Sequence, residues 1–416
     1  MRQAIATIGR SGLAYMCFAA LSSFNVGAYL VLLAWCAVEQ TGDAKLVSII
    51  FMMSLLLGAV TANFVGVLSD GSNTRRLLLS ANGIRGVGAC LLFLALAGEF
   101  HVVTALLIFA VIRTLANAII VTAGAVAFQQ TFDVSCRMQR VAEIGIVRQA
   151  GIAMGTGLTG VLIASQGVAT TALILAIVTI IQTPLILVFT TRRSVSLGDS
   201  TDSSSSALLR RWKEGFVYLR HHRSVVVALI VLSATFSVAQ LTNVLVPVFV
   251  QNDLSASADV YGALEMAWAI GGALALFAAR LWLPARSSLN LGLICLGLSG
   301  LGMAVFALER TIWLVVLIYG ILGGLFCLTR LISDSQILLE VETAVVGRVR
   351  AINLLLTNSI GVIIFAMPFV ISTDRVTGIY IAWGIALLLL SGIAAYAKVG
   401  LEPIHDDQAA SATKPS

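Results

Sequence analysis

The sequence predicts an all-α integral membrane protein, with twelve transmembrane helices in two pseudo-symmetric six-helix bundles. Three observations predict it. First, the 416 residues are 59% hydrophobic and only 11% charged, against about 25% charged in a soluble domain; the mean hydropathy is +0.98. Second, the apolar residues fall into twelve runs, each near the roughly 20 residues that one bilayer crossing needs. None of them alternates with period two, so the backbone is satisfied within helices rather than in a closed barrel. Third, arginine and lysine crowd every second connecting segment, the pattern that orients membrane helices.

In chain order, Arg2 and Arg10 precede an apolar run that reaches about Val38. It is too long for the apolar part of a signal peptide and has no small-residue cleavage site, so it reads as the first helix. Runs at about 45–69, 77–98, 102–130, 142–165 and 169–191 complete a first bundle, residues 1–191. A break at 192–223 carries Thr201-Asp202 and four serines, a flexible-linker composition. Beyond the serines, Leu208, Leu209, Trp212, Phe216 and Leu219 recur at helical spacing among basic residues. That pattern predicts an amphipathic helix on the membrane surface. Runs at about 224–250, 259–281, 288–308, 311–339, 347–371 and 377–398 form the second bundle, 224–401. The tail, 402–416, is polar and expected to be disordered.

Charge fixes the orientation. Segments on the side of the termini hold Arg75, Arg76, Arg137, Arg140, Arg192, Arg193, Arg210, Arg211, Arg348 and Arg350, among others. The opposite side holds Lys45, Arg310 and Arg375. The bias predicts cytoplasmic termini, and one missed helix would scramble it. The net charge of +6 is therefore a topology signal, and no nucleic-acid partner is expected. The six cysteines are scattered and form no CxxC or Cys/His cluster, so no metal and no disulfide framework is indicated. No nucleophile–base pair or phosphate loop is visible, and an enzyme is not expected.

Three stretches carry a family resemblance. Gly66-Val67-Leu68-Ser69-Asp70, followed by a short polar segment and Arg75-Arg76, resembles the loop between the second and third helices of the major facilitator superfamily. Arg75 to Leu79, continuing to Asn82-Gly83-Ile84-Arg85-Gly86, resembles the third helix of the enterobactin-exporter and macrolide-efflux branch, a drug:proton antiporter group. Gly347-Arg348-Val349-Arg350-Ala351-Ile352-Asn353 is similar to the start of the eleventh helix there, and Phe216 to Leu219 also fits. The chain departs from the efflux pattern in the fifth helix, where Gly151, Gly155, Gly157 and Gly160 occur without the usual proline. The resemblance implies the major facilitator fold, with a central cavity lined by the first, fourth, seventh and tenth helices.

A charge inside lipid costs at least about 2.5–3.5 kcal/mol on insertion scales, so each one needs a reason. The candidates are Arg85, Arg113, Arg148, Glu265, Arg330 and Asp334. Arg113 lies about eleven residues into its run, near mid-bilayer at 1.5 Å per residue. It reads as a cavity residue for an anionic substrate or a coupling acid, or as a structural partner of a helix carbonyl end. Glu265 lies about two turns into the eighth helix. Desolvation disfavours a charged carboxylate, the property a proton carrier needs, although a hydrated rim position fits equally. Arg330 and Asp334 share a helix face at i, i+4 and read as a pair at the inner gate or as substrate or coupling groups. Arg85 and Arg148 default to snorkelling, with the head group reaching water, or to gate pairing.

The expected function is secondary active transport by alternating access, powered by the proton gradient with no cofactor. The resemblance implies proton-coupled export across a bacterial inner membrane, and the basic excess among these groups favours an anionic, siderophore-like small molecule; the chain is expected to act as a monomer in the lipid bilayer. A multidrug pump of the same fold and a non-transporting sensor or scaffold remain alternatives. Gly66, Asp70, Arg75, Arg76, Arg348 and Arg350 are expected to gate. Asp70 would face the start of the eleventh helix as an inner latch of the outward-open state, with Arg75 and Arg76 as water-facing anchors.

Overall fold

A computed structural model describes residues 9–71, 74–132, 137–188, 217–282, 289–342, 345–372 and 376–399. The core of the predicted linker and amphipathic helix, the tail, and the side chains of Gly66 and Asp70 lie outside the described residues. The helices are α1 Gly9–Thr41, α2 Lys45–Gly71, α3 Thr74–Ala97 and α4 Val102–Thr131. A single helical stretch, Arg137–Ile181, follows. It is broken at Gly167, where φ is 79 and ψ is 168. That left-handed backbone is open to glycine at little cost, and it divides the stretch into α5 (137–166) and α6 (168–188, including the last turns Thr183–Val188). The second half holds α7 Arg223–Val248, α8 Ala258–Trp282, α9 Leu289–Leu308, α10 Ile312–Glu340, α11 Val346–Ala366 and α12 Val376–Val399.

Among the described residues ten apolar segments are long enough to span a bilayer, and one of them, Glu143–Val188, runs to 46 residues, which allows two crossings. With Lys45–Gly71 this gives the twelve predicted helices. Their outer faces are apolar: Ile146 on α5 is 71% exposed and Leu274 on α8 63%. Large apolar side chains at that exposure are stable where lipid is the solvent.

The halves repeat one packing scheme. In the first, α1 packs on α5–α6, α2 on α4, and α3 on both α4 and α6. In the second, α7 packs on α11 and α12, α8 on α10, and α9 on both α10 and α12. The same two-fold relation appears between the halves, where α5 meets α8 and α2 meets α11.

Glycines make the tight seams. A Cβ on Gly155 would stand 2.2 Å from the Phe24 carbonyl oxygen on α1, and one on Gly160 would stand 2.5 Å from that of Ala258 on α8. The fifth-helix glycines thus divide their work, Gly151 and Gly155 facing α1 and Gly157 and Gly160 facing α8. Close backbone approach of this kind is a main source of helix adhesion in membranes. Of the predicted surface helix, the described end is one helical turn at 217–221, where Leu219 is buried. Tyr218 stacks on His222 there and donates to the Glu340 carbonyl at 3.3 Å.

Candidate functional site

Taking the side of the termini as near and the other as far, the polar interior divides into three levels. The middle level belongs to the first half. Arg85 is 1% exposed on α3, and its Nη2 donates to Asn82 Oδ1 at 2.9 Å. Asn82 Nδ2 donates to the Thr179 carbonyl at 2.9 Å and to Thr183 Oγ1 at 2.8 Å, both on α6. Gln182 Nε2 donates to Asn82 Oδ1, and Asn25 on α1 donates to Gln182 Oε1 at 3.4 Å. Tyr29 on α1 shares a hydrogen bond with Thr179 Oγ1 at 3.0 Å. Its ring packs edge-on against Phe109, 4.9 Å between centroids, one turn before Arg113 on α4.

Arg113 lies inside the bundle within electrostatic reach of Tyr29 and Arg85. Its Nε is buried without a hydrogen-bond partner, as is that of Arg85. Neither arginine has a carboxylate partner among the described residues. For Arg85 this corrects the expectation of snorkelling or gate pairing. Helix α3 begins at Thr74, about one turn before the predicted run at 77, so Arg85 sits a turn deeper and its side chain turns inward to Asn82.

The far level belongs to the second half. Glu265 on α8 is 7% exposed and accepts the Tyr319 hydroxyl of α10 at 3.0 Å. Tyr261 and Tyr380 lie within electrostatic reach of the carboxylate, and both hydroxyls are buried without a partner. Trp268, Phe306 and Phe249 pack around them. Glu265 is therefore no hydrated rim residue, and among the described residues it has no cationic partner.

The near level holds the remaining candidates. Asp334 on α10 lies between Arg330 at 3.8 Å and Arg350 of α11 at 3.9 Å. All three are within the second half, and both arginines are half-exposed. Arg330 also covers the Phe236 ring at 5.4 Å. Exposed pairs of this type contribute at most about 1 kcal/mol. Arg75 was expected to face water, but its Nη2 donates to the Leu187 carbonyl at 2.7 Å, at the carboxyl end of α6, where a cation is favoured. Arg76 is exposed and Arg348 half-buried. Arg148 is exposed and its guanidinium lies against the Tyr15 hydroxyl, which also donates to the Gly124 carbonyl at 3.0 Å.

Among the described residues, the polar and aromatic contacts that join the halves lie at the far and middle levels. Trp35 of α1 stacks on Tyr261 with centroids 6.2 Å apart, and Phe51 of α2 stacks on Phe365 of α11 at 6.1 Å. Asn252 donates to the Gly42 carbonyl at 3.3 Å, and at mid-depth Gln149 Nε2 donates to the Ala269 carbonyl at 3.1 Å. The halves thus meet on the far side. Reading only charged residues missed the buried amides Asn25, Asn82 and Gln182 and the three tyrosines. The amides carried a usable signal, since a polar group inside an apolar run also needs a partner.

Comparison with known proteins agrees with this architecture. The structure is similar to that of the nucleoside transporter NupG, with a TM-score of 0.70 at 15% identity over 92% of this chain and 98% of that one. It is similar to the peptide transporter POT in complex with alafosfalin, with a TM-score of 0.69 at 14% identity over 92% and 93%. It also resembles a bacterial homologue of the human lysosomal transporter Spinster in an inward-facing, unoccupied conformation, with a TM-score of 0.64 at 13% identity over 92% and 94%. No curated relative matches the sequence. The family model of the Major Facilitator Superfamily matches residues 15–366. The chain belongs to the major facilitator superfamily, and it is a membrane transporter rather than an enzyme.

Proposed function

We propose that this transporter is a proton-coupled exporter of a siderophore-like small molecule with anionic groups, working by alternating access between the cytoplasm and the far side of a bacterial inner membrane. One observation carries the reading: the buried charge is split between the halves. Among the described residues, Arg85 and Arg113 have no carboxylate partner in the first half, and Glu265 has no cationic partner in the second. Separate buried charges in a membrane mark substrate and proton pathways. An anion neutralises the arginines and a proton neutralises the glutamate. Each ligand then shifts the balance of states by its different affinity for them. Glu265 suits the proton role better than Asp334, which already has two arginines within 4.0 Å.

Purified protein in liposomes tests this. An inward-acid gradient should drive uptake of an anionic catecholate or carboxylate siderophore into inside-out vesicles, and a protonophore should abolish it. Absence of gradient-driven flux for every anionic solute, with cationic drugs transported, would replace this reading with the multidrug one.

A further inference from the structure

Arg85 and Arg113 lie within electrostatic reach of each other and of Tyr29 in the membrane interior, where like charges are least screened. Every neighbour identified for them on the surrounding helices is neutral: Asn25 and Tyr29 on α1, Asn82 on α3, and Thr179, Gln182 and Thr183 on α6. Arg85 gives one hydrogen bond, to Asn82 Oδ1, an oxygen that also receives Gln182. Both Nε atoms are left over. Arg113 is half-buried, against 1% exposure for Arg85. Two positive charges and an excess of fork-shaped donors among neutral neighbours suit a doubly charged acceptor. Guanidinium forks match the oxygens of carboxylates and phosphates, two at a time.

We propose that Arg85 and Arg113 form a binding site for the dianionic end of a ligand: a phosphate or phosphonate group, or two carboxylates on neighbouring carbons or on one carbon. A single carboxylate leaves one of the two guanidiniums uncompensated, so charge balance selects for two negative charges. Asn82, held by α6, positions Arg85; Arg113, the more exposed of the two, meets the ligand. The proposal rests on the reading of the chain as an exporter of an anionic molecule, and it narrows the class of that molecule. It makes Arg85, which lies deep in α3, a partner of Arg113 rather than an anchor.

The test is thermal unfolding of the full-length protein in neutral detergent at pH 8, with sodium phosphate, malonate, acetate and chloride at matched ionic strength. Phosphate and malonate should raise the Tm saturably, and acetate should do little more than chloride. Arg113→Gln should abolish the saturable rise and should itself raise the ligand-free Tm, because it removes one of two repelling buried charges. General salting effects of phosphate persist in that variant and are thereby subtracted. Arg85→Gln should behave alike; should it not fold, Arg113→Gln decides alone. Dianions acting no better than chloride, or a saturable rise that survives Arg113→Gln, overturn the site. Flux in liposomes separates the two readings. Transport of cations without dianion binding removes the site and leaves a transporter, whereas dianion binding without any flux spares the site and removes the exporter.

Discussion

Tyr319 and Glu265 meet at 3.0 Å across the α8–α10 seam, hydroxyl to carboxylate, each on its own helix about two turns from the far end. The bond fixes the carboxyl group while two further tyrosine hydroxyls stand by unpaired. Tyr319→Phe removes the bond and keeps the ring. Flux driven by a proton gradient should fall about tenfold, the equivalent of about 1.4 kcal/mol, while exchange of substrate at equal pH persists. Equal loss of both activities would reduce Tyr319 to a packing residue. Glu265→Gln should remove the gradient dependence altogether.

Arg113→Ala should abolish transport with normal membrane insertion. Insertion should not suffer, because losing a mid-bilayer charge removes a cost of about 2.5–3.5 kcal/mol on insertion scales. Transport counts and the amount of protein in purified membranes check the two halves of the statement. Near-normal flux would take Arg113 out of the site.

Gly160→Leu should hold the far side apart. Its Cβ alone would stand 2.5 Å from the Ala258 oxygen and 2.7 Å from the Gly262 Cα, where no flexible side chain can yield. Spin labels on Lys45→Cys and Asn252→Cys, either side of the Gly42–Asn252 bond, should report a longer mean distance in this background. An unchanged distance distribution would mean that α5 and α8 separate and re-close by another route.

The near-side charges should behave differently from the buried ones. Arg350→Gln loses an exposed contact with Asp334 at 3.9 Å, so stability should drop by less than about 1 kcal/mol. Denaturation in detergent measures it. For the proposed Asp70 latch, Asp70→Asn should slow turnover more than it weakens substrate binding; the same turnover as wild type would leave the latch without support.

The helices were legible because a bilayer crossing is a one-dimensional signal, an apolar run of set length between polar stops. It also separated the runs at 142–165 and 169–191, which part at Gly167, where the backbone leaves the helix. It placed the start of α3 late, and Arg85 too shallow with it. The depth of Arg113 followed from counting residues. The company it keeps did not, because whether α1, α3 and α6 present Tyr29, Asn82 or Thr179 depends on how three helices rotate against each other. Tyr261, Tyr319 and Tyr380 are ordinary tyrosines in sequence, and only packing brings them around Glu265.

The far seal has a consequence for how this transporter is controlled. It is made of glycine backbones, stacked rings and uncharged amide bonds at Trp35, Phe51, Gly160 and Asn252. Such contacts neither titrate nor weaken with ionic strength, unlike a gate of exposed ion pairs. The barrier to opening on the far side is therefore expected to be the same at low and high salt, and the seal should stay equally leak-tight throughout.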